Sequence, residues 1–182
     1  MPDPLHPALV HLPIGLAVVA PIAAIAIAWS IRSRALPARA WFAMIALQSV
    51  LTLGGWAAFE AGEDEEERVE RVVGERLIEA HEEAAERFLL AAVATLIVSA
   101  GGLATGRRGT IGRSLTVIGS AVTLAASVSA GHLGGELVYV HGAADAYTGS
   151  EQGAGGAANH PIDDEHSSYR GSDAGRARRN DD

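Results

Sequence analysis

Cysteine is absent from the 182 residues, and with it go disulfides, thiolate metal sites, iron–sulfur ligation and covalent c-type haem attachment. Any soft-metal or haem chemistry therefore falls to histidine. Lysine is absent too: all 14 basic residues are arginine, set against 22 acids for a net charge of −8. Such a balance argues against a nucleic-acid partner, which needs a basic footprint. Catalytic signatures are also missing. No nucleophile elbow, P-loop or dinucleotide fingerprint occurs, and His81-Glu82 is followed by Ala85 where a zincin would need its second histidine.

What the chain does have is apolar sequence gathered into blocks. Leu12 to Ile31 carries no charge over twenty residues, enough at about 1.5 Å per residue to cross a hydrocarbon core of about 30 Å. A secretory signal peptide needs a positive n-region, and Met1 to His6 has none. Three further spans follow: Ala40 to Phe59, interrupted by Gln48, then Phe88 to Thr105, then the uncharged stretch between Arg113 and His132. Pro21 predicts a kink in the first span. The fourth helix either breaks at Gly134-Gly135 or runs on to Val140.

These features predict an all-α fold, an integral membrane four-helix bundle over residues 1–142 with spans at about 12–31, 40–59, 88–105 and 114–132. Val69, Val72, Val73, Leu77, Ile78, Ala84, Ala85 and Phe88 recur at helical spacing, so the third helix is expected to begin outside the membrane near Glu65. Residues 143–182 are rich in Gly, Ala, Asp, Ser and Arg without an apolar period, which predicts a disordered acidic tail. His160 and His166 lie in it and carry no functional weight.

Orientation follows from the arginines. Arg32, Arg34 and Arg39 occupy the first short connection and Arg107, Arg108 and Arg113 the other, with no acid in either, while eleven acids crowd between Glu60 and Glu83. The positive-inside rule puts both arginine loops in the cytoplasm. The expected location is the plasma or inner membrane, multi-pass, with both termini outside.

Counting outward from the arginines brings His11, His81 and His132 to one level of the outer leaflet, with His6 and His141 within reach. Glu82, Glu136 and Tyr139 are possible supports. Ionisable side chains at membrane depth are costly and tend to mark function. Two imidazoles on facing helices can ligate haem b axially, and clustered imidazoles bind copper or zinc. Each histidine also has a purely structural account, as an interfacial helix start, an exposed polar position or a donor to a backbone carbonyl.

The motif His6-Pro7 with Val10-His11-Leu12-Pro13-Ile14-Gly15, together with Gly62, His81 and the run from Gly131-His132-Leu133-Gly134-Gly135-Glu136 to Gly142, resembles the prokaryotic family called domain of unknown function 2231. The resemblance covers residues 5 to 143 and implies four membrane helices. Some members are joined to Rieske-type or cytochrome-like domains, which implies a redox neighbourhood, and this chain ends in its tail instead. The expected function is accordingly the binding of haem b or a metal ion by His11, His81 and His132, with His6 and His141 as further metal ligands. The role would be electron transfer or redox sensing, with a redox protein, a quinone or a second copy of the chain as partner. The alternative is a non-catalytic membrane scaffold or accessory subunit with structural histidines. A transporter fits less well, since the spans lack paired buried acids and inverted-repeat symmetry.

Overall fold

The computed structural model describes residues 5–146, and among them helix is the only regular structure apart from two short 3-10 turns. The helices are α1 (Leu5–Leu9), α2 (His11–Arg32), α3 (Phe42–Glu63), α4 (Glu66–Val73), α5 (Glu75–Ala100) and α6 (Gly106–Tyr139). Val10 continues the helical bonding between α1 and α2, donating to the His6 carbonyl at 3.1 Å and accepting from Ile14 at 3.2 Å. Four segments are long and apolar enough to cross a membrane: His6–Arg32, Ala38–Glu63, Glu75–Leu103 and Gly106–Tyr139. All four expected spans are there. The helix continues through Pro21, and α6 passes Gly134-Gly135 without a break. Of the expected tail, residues 147–182 lie outside the described part of the chain.

One expectation about the third helix needs correcting. Its outward extension is a separate helix, α4, because Gly74 takes φ 90° and ψ 145° between Val73 and Glu75. Only glycine enters that region at little cost. The chain turns there, and Glu66 and Val69 of α4 line one cavity with His6 of α1, His81 of α5 and Leu137 of α6.

Many small and polar side chains surround Trp41, Met44, Leu51 and Phe88 inside the bundle, and large apolar ones cover its outside. Ala17, Ala20 and Ala24 of α2 are buried, as are Thr95 and Ser99 of α5 and Thr116, Ser120, Thr123 and Ser127 of α6. Trp29 and Leu53, by contrast, expose 72% and 70% of their surface. Lipid solvates such side chains, so small inward residues and interhelical hydrogen bonds hold the helices together instead. The buried hydroxyls are satisfied largely within their own helices. Thr95 donates to the Ala91 carbonyl at 2.7 Å, Thr116 to Gly112 at 2.8 Å and Thr123 to Gly119 at 2.9 Å.

Each helix packs on its neighbours in chain order, and α6 closes the ring against α2. The inward stripes advance by three and four residues, the register of a left-handed bundle. Two α-hairpins make up the ring, and they match position by position. On the descending helices the offset is 75 residues: His6 matches His81, Pro13 Phe88, Ala17 Ala92, Ala20 Thr95 and Ala24 Ser99. On the returning helices it is 72: Trp41 matches Arg113, Gln48 Ser120, Leu51 Thr123, Gly55 Ser127, Ala58 Ala130 and Gly62 Gly134.

Matched residues also meet each other. Gln48 Nε2 donates to Ser120 Oγ at 2.9 Å, the His6 and His81 rings lie 6.1 Å apart, and the Arg113 guanidinium sits 5.9 Å from the Trp41 ring centre. An approximate twofold axis along the bundle generates this pattern. Both hairpins run the same way, so the repeat is parallel.

At the end that gathers the six loop arginines, α2 closes through Arg34, which adopts φ 64°. A residue with a side chain pays about 1 kcal/mol there relative to glycine.

Candidate functional site

At the opposite end, the axis passes between His6 and His81. Each ring is held in the same way. His6 Nδ1 bonds the Ala58 carbonyl at 2.7 Å, and His81 Nδ1 bonds the Ala130 carbonyl at 3.1 Å. Both acceptors are helical carbonyls already bonded to the N–H four residues on, which belongs to Gly62 in one case and Gly134 in the other. Those two positions carry no side chain, so the imidazole can reach over them. A methyl group at Gly62 would stand 3.1 Å from His6 Nδ1, and one at Gly134 would stand 3.0 Å from His81 Cε1. Any larger residue would push the ring off its carbonyl.

A carbonyl only accepts, so each Nδ1 carries the proton, and in the neutral ring Nε2 keeps a lone pair. The two rings are half-buried, meet edge to face at 88°, and border a cavity of about 430 Å³. Phe59, Ile78, Leu137 and Val138 form apolar walls, and Val69 of α4 covers one side. Glu63, Glu65, Glu66 and Glu82 stand on the rim, where Glu65 also accepts from the His6 backbone N–H at 3.4 Å. The rim is thus acidic and the interior apolar, with two imidazoles between them.

The other expected ligands are elsewhere. His132 is 73% exposed at its side chain and pairs with Glu136 one turn on, at 3.4 Å. His11 and His141 are exposed as well. Helical phase explains the sorting. His6 lies seven residues before Pro13 and His81 seven before Phe88, so each continues a buried stripe. His11 is five residues from His6, about 140° round the helix, and His132 is two from Ala130, about 200° away. Depth brings His11, His81 and His132 to one level, but phase turns two of them outward. Among the described residues no group of three or more His, Cys, Asp or Glu side chains could hold a metal ion.

Comparison with known protein families matches residues 2–146 to DUF2231, described as a predicted membrane protein. The chain belongs to the DUF2231 family. No curated protein and no solved structure matches it. The residues on which the DUF2231 resemblance rests gain a physical meaning here: His6, Gly62, His81 and Gly134 are the two rings and the two gaps they reach across. Gly62 and Gly134 look in sequence like a small-residue helix end and a candidate break. The signal that would have singled them out is their fourth-residue spacing after Ala58 and Ala130, in phase with the inward stripe.

Proposed function

We propose that this DUF2231 protein binds a redox-active metal centre between His6 and His81, in an electron-transfer or redox-sensing role at the outer face of the membrane. The observation that carries this reading is the pairing of both Nδ1 atoms with backbone carbonyls. Metal-bound histidines characteristically donate their other ring N–H in this way, which fixes the ring and makes the free nitrogen more basic. The two rings lie 6.1 Å apart, edge to face, near enough that a metal ion could be shared between their Nε2 atoms if both rings turned toward it.

Two protein ligands suit haem b better than a bare ion, since His6 and His81 would hold the iron and the porphyrin would supply its remaining ligands. Copper or zinc would need ligands from outside the pair. His11, His132 and His141 stand outside the proposed set. A soluble redox protein or a quinone would exchange electrons at the acidic rim. For orientation, the arginine end is assigned to the cytoplasm by the positive-inside rule, in the plasma or inner membrane.

The test is the visible spectrum and metal content of the full chain purified after growth with haem precursor, copper and zinc. A Soret band or stoichiometric copper, lost in His6→Ala and in His81→Ala but kept in His11→Ala and His132→Ala, supports the proposal, whereas stoichiometric zinc would keep the metal site and overturn the redox role. A folded protein without colour or metal overturns it. The two histidines would then be interhelical staples, as the scaffold or accessory-subunit reading has it, since each ties one helix to the next.

A further inference from the structure

The arginine end breaks the twofold pattern, and the break opens a site. On one side of the axis, Trp41 is fully buried against Gly102 and donates its indole N–H to the Ser99 carbonyl at 2.9 Å, filling the space between α3 and α5. Its match on α6 is Arg113. Between α2 and α6, beside Arg113, there is a groove of about 750 Å³.

Arg32, Arg34 and Arg113 line the groove, with the Thr110 and Ser114 side chains beside them and Ile25, Ala28 and Val117 along its apolar walls. Arg113 is only 8% exposed and binds the Gly102 carbonyl through Nε at 2.9 Å. No carboxylate pairs with Arg32, Arg34 or Arg113 among the described residues. The Gly102 and Ala104 carbonyls and the Trp41 ring face hold this guanidinium without supplying a counter-ion, which an anion in the groove would provide. Two further features point the same way. Helix α6 begins at Gly106, on the groove wall, without any side-chain cap, so its first N–H groups remain free to meet a negative charge. Arg34 holds a backbone conformation that favours glycine, and keeps an arginine there nonetheless.

We infer that this groove binds the phosphate of an anionic phospholipid, with the head group between Arg32, Arg34 and Arg113 and an acyl chain along Ile25, Ala28 and Val117. A free phosphate shares the head-group chemistry, but the apolar walls continuing along α2 and α6 have a partner only in a lipid. Trp29, on the same wall and 72% exposed, is an amphipathic ring of the kind that settles at head-group level. Basic pockets between membrane helices are a general means of selecting acidic lipids.

The test uses the full chain in detergent, with bound lipid read by native mass spectrometry against phosphatidylglycerol, phosphatidylcholine and inorganic phosphate. Phosphatidylglycerol should be retained about tenfold better than phosphatidylcholine. Equimolar inorganic phosphate should fail to displace it. Arg34→Gly is the informative variant, because glycine suits the backbone there: the preference should fall several-fold while the melting temperature holds or rises. Arg32→Gln should weaken retention in the same direction. Equal retention of the two lipids, or an undiminished preference in the Arg32→Gln/Arg34→Gly double variant, would overturn the inference. So would displacement by inorganic phosphate as effective as by added lipid, which would make this a free-anion site.

Discussion

The first hairpin fills its share of the bundle interior with Ala20, Ala24, Met44 and Leu51, and the second fills the matched positions with Thr95, Ser99, Thr116 and Thr123. Size and polarity both change: Met44 and Leu51 give way to the smaller Thr116 and Thr123, and Ala20 to the larger Thr95. The polarity is tolerable because most of the hydroxyls bond carbonyls in their own helices, leaving little polarity to be satisfied across the interface. The difference teaches that the twofold pattern fixes which positions face inward, and leaves the size and chemical character of most of them free. At two places it constrains chemistry as well: the histidine brackets, and the glycines under them.

Removing the largest buried side chain should break the comparison most severely. Trp41→Ala takes away a fully buried indole and its bond to Ser99. The expected cost is roughly 3–5 kcal/mol, read as a lower midpoint in thermal unfolding of the detergent-solubilised chain. A small shift would mean that the groove across the axis can close to compensate.

Next comes the contrast at matched core positions. Leu51→Ala should cost roughly 2–5 kcal/mol by cavity formation, whereas Thr123→Val should cost only about 0.6 kcal/mol, the scale of a hydrogen bond within a membrane bundle. Comparable losses in the two variants would show that the hydroxyls do more than occupy space. Gly62→Ala and Gly134→Ala sharpen the comparison at the histidine end. Each methyl presses on a ring held in the same bracket, so each should cost about 1 kcal/mol through overpacking and the two should agree. One neutral variant and one damaging variant would end the equivalence of His6 and His81. Last, His132→Ala should leave the midpoint within about 0.5 kcal/mol of the parent, since an exposed pair contributes little. A larger loss would return His132 to the candidate site.

Sequence carried the spans and the fold class because charge is excluded from the blocks Leu12 to Ile31 and Ser114 to Gly131, which composition displays directly. The site was legible only in part. Depth from the arginine loops groups His81 with His11 and His132 and sets His6 second, whereas in the structure it is His6 whose ring meets His81. Their phase against Pro13, Ala17 and Ala20 was also written in the sequence, and would have reversed that order. The turn at Gly74 was hidden, because Val69 to Val73 and Leu77 to Phe88 keep an acceptable helical period across it. The match between the two hairpins was hidden for another reason. Its matches exchange Ala for Thr, Leu for Thr and Trp for Arg, and its offset changes from 75 to 72 between the two helices of a hairpin.

Contact between matched residues has a consequence for how such a chain can change over generations. Two separate, identical hairpins meeting on an axis would receive every substitution twice, and an arginine at the position of Trp41 would then bring two like charges together in the interior. Joining the hairpins in one chain lifts that constraint. One copy can keep tryptophan and the other take arginine, and the charge then has an aromatic face beside it instead of its own twin. The histidines, the glycines beneath them and the alanines whose carbonyls hold the rings are among the positions where this freedom has gone unused.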